Sequence, residues 1–214
     1  ADLAGVQRYG FSDIRNVLER SSARETTMRV ALGSICRKLL EDVGIEVGSR
    51  VIEIHDVKDE NPIPDGVSPN QLSEIADASP VRCLDKDGEA AMMQTIDDAK
   101  KAGDSVGGIF EVIATGLPYG LGAHTQWDRK LHTRISAMMM SVNAFKGIEI
   151  GGGFGGAEKF GSEVHDEIGH DGEKFIRYSN NAGGIEGGMS NAQPIVLRMA
   201  MKPIPTLIKP LRSI

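Results

Sequence analysis

Only two cysteines, one tryptophan and a 5% share of aromatic residues occur in this chain of 214 residues. Cys36 and Cys83 are too few for a disulfide framework and form no C-x-x-C pair. So sparse a thiol content fits a reducing, cytoplasmic compartment. Basic residues are also short: 24 Lys and Arg stand against 30 Asp and Glu, a formal net charge of -6. That balance argues against a general grip on nucleic acid, which needs a basic excess. It leaves room for a small anion held by a few local arginines. No apolar run reaches membrane-spanning length, and the first residues carry no apolar signal core, so no membrane association is expected. The rest is ordinary globular composition, 40% hydrophobic and 25% charged, at a length that allows one substantial core. Glycine is the exception: its 26 residues gather late, in 116–122, 147–156 and 183–188.

The chain is organised around Glu19-Arg20-Ser21-Ser22-Ala23-Arg24-Glu25-Thr26. Ser22 to Glu25 reads S-x-x-E, a capping box with Ser22 at the N-cap and Glu25 reaching back to its amide. Behind it Met28, Ala31, Leu32, Ile35, Leu39 and Leu40 recur at spacings of three and four. That is the stripe of an amphipathic helix, with Cys36 read as a small core residue on its apolar side. A helix start presents free N–H groups and partial positive charge, and Arg20 and Arg24 flank this one, which suits an anion. Taken alone, the octet reads more simply as a capped helix with its arginines in solvent.

In chain order, Ser12-Asp13 caps a short helix over 14–18, and the first major helix covers 23–42 with Gly44 as its stop. A strand over 51–57 contains His55, and Asn61-Pro62-Ile63-Pro64-Asp65-Gly66 is a loop by composition. Helices are expected over 71–78 and 87–102, the latter ending at Gly103, followed by a strand over 106–114 and a turn over 116–120. A third long helix over 126–145 turns Trp127, Leu131, Ile135, Met138, Val142 and Phe145 inward. Strands follow over 147–150, 174–178 and 194–202. In the last, Ile195, Leu197, Met199 and Met201 share one face, and Val196, Arg198, Ala200 and Lys202 the other. Segments 57–70 and 157–173 read as surface loops of one domain over residues 1–214. Strands come in adjacent sets rather than alternating with helices. The fold class is therefore α+β, long helices packed against antiparallel sheets.

Gly151-Gly152-Gly153-Phe154-Gly155-Gly156 satisfies G-x-G-x-x-G after a strand, but no apolar helical stripe or distal acidic residue follows, so the nicotinamide-binding reading is weak. His165 and His170 are five apart with Asp, Glu and Gly between them, which suits a solvated loop better than a metal site. Histidine is a common acid–base residue, yet spacing names no partner for His55, His124 or His132. Lys202-Pro203-Ile204-Pro205-Thr206 sets an ammonium, rigid backbone and a hydroxyl side by side, and Gly183-Gly184-Ile185-Glu186-Gly187-Gly188 lets backbone approach a flat ligand. With Asn143-Ala144, these offer what a planar, phosphorylated cofactor needs.

Six segments then resemble one family, in its order and over nearly the whole chain. They are Arg20-Ser21-Ser22-Ala23-Arg24-Glu25-Thr26, Gly103-Asp104-Ser105-Val106-Gly107-Gly108, Gly116-Leu117-Pro118-Tyr119-Gly120-Leu121-Gly122, Asn143-Ala144-Phe145-Lys146-Gly147-Ile148-Glu149-Ile150-Gly151, Gly184-Ile185-Glu186-Gly187-Gly188 and Met201-Lys202-Pro203-Ile204-Pro205-Thr206. Together they are similar to chorismate synthase. The resemblance implies a β-α-β sandwich, a homotetramer and a flavin enzyme of aromatic amino acid biosynthesis. That enzyme uses reduced FMN to eliminate phosphate from 5-enolpyruvylshikimate 3-phosphate in a 1,4-anti sense, giving chorismate at the end of the shikimate pathway. Whether such an enzyme reduces its own flavin, drawing on NADP, is left open by the sequence.

Carried over residue by residue, the resemblance implies that Arg20, Ser21 and Ser22 contact the flavin, as do Asn143, Ala144, Gly187 and the run Lys202, Pro203, Ile204, Pro205 and Thr206. Ala23 and Arg24 would face the substrate, with Arg24 gripping a carboxylate or phosphate. The family's G-E-S-H-G and G-H-A-D histidines and its R-S-D segment have no counterpart here, so no catalytic residue is assigned in this chain. The expectation is a central, truncated portion of the enzyme that is inactive alone, with near-zero turnover. The alternatives are a non-catalytic folded core or oligomerisation module, or a nicotinamide oxidoreductase built on 151–156.

Overall fold

The computed structural model describes residues 3–212. Its elements run α1 (Leu3–Tyr9), α2 (Arg15–Ser21), α3 (Glu25–Asp42), β1 (Glu46–Ile54), β2 (Val57–Lys58), α4 (Pro69–Asp77), α5 (Lys86–Ala102), β3 (Gly108–Thr115) and β4 (Tyr119–Gly122). Then follow α6 (Leu131–Met140), β5 (Phe145–Ile150), α7 (Gly161–Val164), β6 (Ile168–His170), β7 (Phe175–Arg177), β8 (Ile185–Glu186), β9 (Met189–Asn191) and β10 (Ile195–Met201). The main sheet has the order β2-β1-β3-β10-β5, and every pairing in it is antiparallel. A three-stranded sheet (β4-β9-β8) and the hairpin β6-β7 complete the strands. The class is α+β.

The alternation along β10 sets the two faces of the main sheet. Ile195, Leu197 and Met199 are buried, and in register with Ala114, Val112 and Phe110 of β3 they form the core with Ile148 and Ile150 of β5. Leu131, Ile135 and Met139 of α6 cover that face. The opposite face carries a line of charge. Arg50, Glu111 and Arg198 lie in one cross-strand row, and the Glu111 carboxylate takes Arg50 Nε and Arg198 Nε at 3.1 Å each. Arg50 also donates to the Asn61 carbonyl at 2.6 Å, so the buried charges of Arg50 and Glu111 are paired and hydrogen-bonded. Helix α4 lies on β1 where Gly48 leaves room. A Cβ there would overlap the Pro69 carbonyl.

Several local expectations are corrected. The box at Ser22 does not close: Ser22 is extended and its Oγ accepts the Arg24 amide at 3.3 Å, while Glu25 turns to Arg29 at 2.9 Å. The closed capping box is at α4, where Ser68 Oγ accepts the Gln71 amide and Gln71 Oε1 accepts the Ser68 amide. The apolar stripe of α3 faces outward, with Met28, Leu32, Ile35 and Leu39 at 63, 60, 69 and 66% exposure. Cys36, read as a core residue, is exposed, whereas Cys83 is buried. The third long helix shrinks to 131–140: Trp127 sits in an exposed 3-10 turn, Met138 points outward and Phe145 belongs to β5. His55 is not in a strand but occupies the tight β1–β2 turn at φ 57°. Within 57–70 lie β2 and the start of α4, and within 157–173 lie α7 and β6.

Candidate functional site

Helix α3 and strand β5 meet at one corner through side chains far apart in sequence. Asn143 Nδ2 donates to the Ser22 carbonyl at 2.9 Å. Arg29 braces the same corner: its Nε binds Glu25, and its guanidinium donates to Ser141 Oγ at 3.0 Å and the Ser141 carbonyl at 3.2 Å. The next residue along, Ala144, is left-handed at φ 72°, a conformation that costs a non-glycine residue free energy. Its carbonyl accepts the Lys202 amide at 3.0 Å. That bond continues the β5–β10 ladder past an irregularity, since Ala200 opposes Gly147 while Met201 opposes Phe145. Ser22, Asn143, Ala144 and Lys202 are thereby joined in one hydrogen-bonded corner.

The other residues expected to bind ligand fall around or away from this corner. Arg20 and Ser21 line a cavity of about 430 Å³ with Tyr9, Phe11, Asn16 and Val17, and the rings of Tyr9 and Phe11 stack at 5.6 Å. Ala23 is exposed, its carbonyl accepting the Thr26 amide at 3.0 Å. Arg24 pairs with Glu19 at 3.1 Å, both groups well exposed. Lys202, Pro203, Ile204, Pro205 and Thr206 follow β10 as an exposed segment. It rests on the loop between α5 and β3, where Ser105 Oγ donates to the Ile204 carbonyl at 2.7 Å and Lys209 N to the Gly103 carbonyl at 3.0 Å. Among the described residues, neither Arg20 nor the Lys202 ammonium makes an ion pair.

Gly187 stands apart. It lines a different cavity with Tyr119, Arg177, Glu186 and Asn191. There Arg177 clamps Glu186 with two bonds of 2.8 and 2.7 Å, and Asn191 Nδ2 adds a third at 2.9 Å. Burial acts to raise the Glu186 carboxyl, but the Arg177 fork and the Asn191 amide outweigh it and hold the group below its ordinary value. Nearby, Asp166 accepts the Ser179 hydroxyl and the amides of Asn181 and Ala182, tying 157–173 to the glycine-rich turn before β8. Burial pushes the Asp166 carboxyl up, and these donors more than reverse it.

Gly151–Gly156 does not become a dinucleotide turn. Gly153 to Glu158 form a 3-10 helix, so no α-helix presents its N-terminus there as the fingerprint requires. Arg29 and Ser105 escaped the sequence reading as site residues. The signal for Arg29 was its i,i+4 spacing from Glu25, and for Ser105 the Gly103–Gly108 run, to which no role was attached.

A family model described as chorismate synthase matches residues 1–214. The chain is 54% identical over 215 aligned residues to a chorismate synthase of Bacillus cytotoxicus and 55% identical over 215 to one of Listeria welshimeri. In both comparisons all of this chain aligns with 55% of the relative, so it spans about half the length of the curated relatives it matches. A solved structure titled "Crystal Structure of Chorismate Synthase" superposes with a TM-score of 0.87 at 46% identity, over 94% of this chain and 62% of that one. With its whole length matched by the family model, the chain belongs to the chorismate synthase family.

Proposed function

We propose that the intact protein converts 5-enolpyruvylshikimate 3-phosphate to chorismate and phosphate with the help of reduced FMN. The observation that carries this reading is the corner joining Ser22, Asn143, Ala144 and Lys202, because it gathers three expected flavin-contacting segments that are distant in sequence, the first two of them 121 residues apart. The donor set fits the group. Among the described residues neither Arg20 nor Lys202 makes an ion pair, and Lys202 opens an exposed run, 202–206, whose two prolines make its backbone rigid. FMN and the substrate are both anionic, and cations held in place by a folded frame are what such ligands require.

In this reading Arg20, Ser21 and Ser22 hold the flavin from the α3 side, Asn143 and Ala144 from β5, and Lys202 to Thr206 from β10. Reduced FMN, when bound, lends electron density that helps phosphate leave, with no net redox change. Arg24 orients the substrate beside Ala23. Its present partner, Glu19, is a solvent-exposed carboxylate, and such surface pairs are weak enough to be exchanged for a substrate anion. Gly187 supports the flavin from the far side only if the β8–β9 turn approaches it. No residue of this chain is assigned the proton transfer. Cytoplasmic location agrees with two unpaired cysteines. Among the described residues no helix is long and apolar enough to cross a membrane. The homotetramer implied by the resemblance has a candidate contact surface in the exposed stripe of α3.

The test is anaerobic turnover of 5-enolpyruvylshikimate 3-phosphate by the intact protein, followed as chorismate and phosphate release. Reduced FMN should be required, and Arg24→Ala should raise the substrate KM by roughly tenfold or more, the scale of a lost charged hydrogen bond. Turnover without flavin, or an unchanged KM, would count against the assignment.

A further inference from the structure

The segment from Lys202 to Thr206 has little to hold itself in place. Pro203 and Pro205 have no N–H to donate, and all five residues are exposed. It is pinned from below. Its start is fixed by the Lys202 amide on the Ala144 carbonyl, and its continuation by the Lys209 amide on the Gly103 carbonyl. Between these, Ser105 Oγ donates to the Ile204 carbonyl at 2.7 Å, across 99 residues of sequence. Ser105 is itself set by its amide on Asp104 Oδ1 at 2.8 Å. Gly107 closes the cradle: a Cβ there would overlap the Met201 carbonyl and lie 3.0 Å from Pro203 Cδ. Ile204 is two residues from Lys202 and two from Thr206, so its carbonyl is the midpoint of the run.

We infer that Ser105 is a positioning residue for the flavin: by anchoring the Ile204 carbonyl it fixes where the Lys202 ammonium and the Thr206 hydroxyl stand. This deepens the proposed function and rests on it. Ser105 touches neither reacting group, and it acts through the backbone it holds. Without its hydroxyl the Ile204 peptide keeps its two flanking prolines but loses the tie that orients them, so part of the ordering free energy falls on ligand binding.

The test uses the intact protein and FMN itself as the probe, read by flavin fluorescence, with amide exchange of the ligand-free protein as a second readout. Ser105→Ala should weaken FMN binding by roughly five- to tenfold, the scale of one hydrogen bond. In the absence of FMN it should also speed exchange at Lys202 and Lys209, whose amides are held by the Ala144 and Gly103 carbonyls, while leaving the thermal midpoint in place. Ser105→Thr, which keeps the hydroxyl, should restore both. Unchanged FMN affinity in Ser105→Ala overturns the inference, whether or not exchange rises, and so does weakened binding with no change in exchange. Failure of the unsubstituted protein to take up FMN is a separate result: it removes the flavin reading first, and the role of Ser105 with it.

Discussion

Glu111 illustrates what single side chains contribute. Arg50 and Glu111 retain only 9 and 7% side-chain exposure, and one carboxylate serves guanidiniums on both neighbouring strands. Glu111→Ala removes the nearer of the two carboxylates facing the buried Arg50, leaving Asp59 at 4.0 Å, and should cost about 3 kcal/mol of unfolding free energy, measured by denaturant titration. Ala144 points the other way. At φ 72° it stores strain that glycine would not, so Ala144→Gly should raise stability by about 1 kcal/mol in the same titration. Asp166 sets a pH dependence. Its carboxyl is lowered in the folded chain, so its contribution is complete above the ordinary carboxylate value and is lost as pH falls through the lower folded one. Exchange protection of the Asn181 and Ala182 amides should therefore persist from neutrality down through the ordinary carboxylate range and be lost only as pH falls through the lower folded value. Asp166→Ala should abolish that protection at pH 7. Neither Glu111 nor Asp166 was legible as a special position, and Ala144 was named by the family resemblance, not for its backbone conformation. Arg198 read correctly as belonging to a polar face, but alternation along one strand does not reveal which residue stands opposite on the next.

At the scale of elements, periodicity located structure better than it located surroundings. β10 alternates as its sequence does because β3, β5 and α6 bury one face of it, and Met201 escapes only because it lies at the sheet's end and is partly exposed. α5 ends at Gly103, left-handed at φ 73°, as its glycine suggests. The stripe of α3 is equally regular, but a stripe says only that a helix has an apolar side, not that this chain covers it. Caps show the same limit. S-x-x-E at Ser22 and S-x-x-Q at Ser68 are similar on paper. The first fails because Glu25 has a better partner in Arg29, four residues on and charged. Ser68→Ala should accordingly cost about 1 kcal/mol and Ser22→Ala about 0.5 kcal/mol or less, by thermal or denaturant unfolding. The candidate site was out of reach of any spacing rule, since Ser22 and Asn143 are 121 residues apart. Family resemblance brought them onto one list, and the fold gives the hydrogen bond that joins them.

For the whole molecule, the outward stripe of α3 and the hydrogen-bonded corner of Ser22, Asn143, Ala144 and Lys202 are the two features that composition does not suggest. Met28, Leu32, Ile35 and Leu39 form a contiguous apolar strip on a helix with no buried residue. A chain of these 214 residues alone should self-associate at micromolar concentration, and Leu32→Glu with Ile35→Glu should return it to monomer in sedimentation. A monomer before substitution would show that the strip does not drive association. The central claim is that α3, β5 and β10 converge to hold one flavin. A crystal structure of the intact protein grown with FMN measures this directly. The ring system should lie within about 4 Å of Asn143, Ala144 and the Lys202–Thr206 run, with the phosphate near Arg20 and Ser22. Electron density placing FMN away from that corner, for instance against Gly151–Gly156, would contradict it.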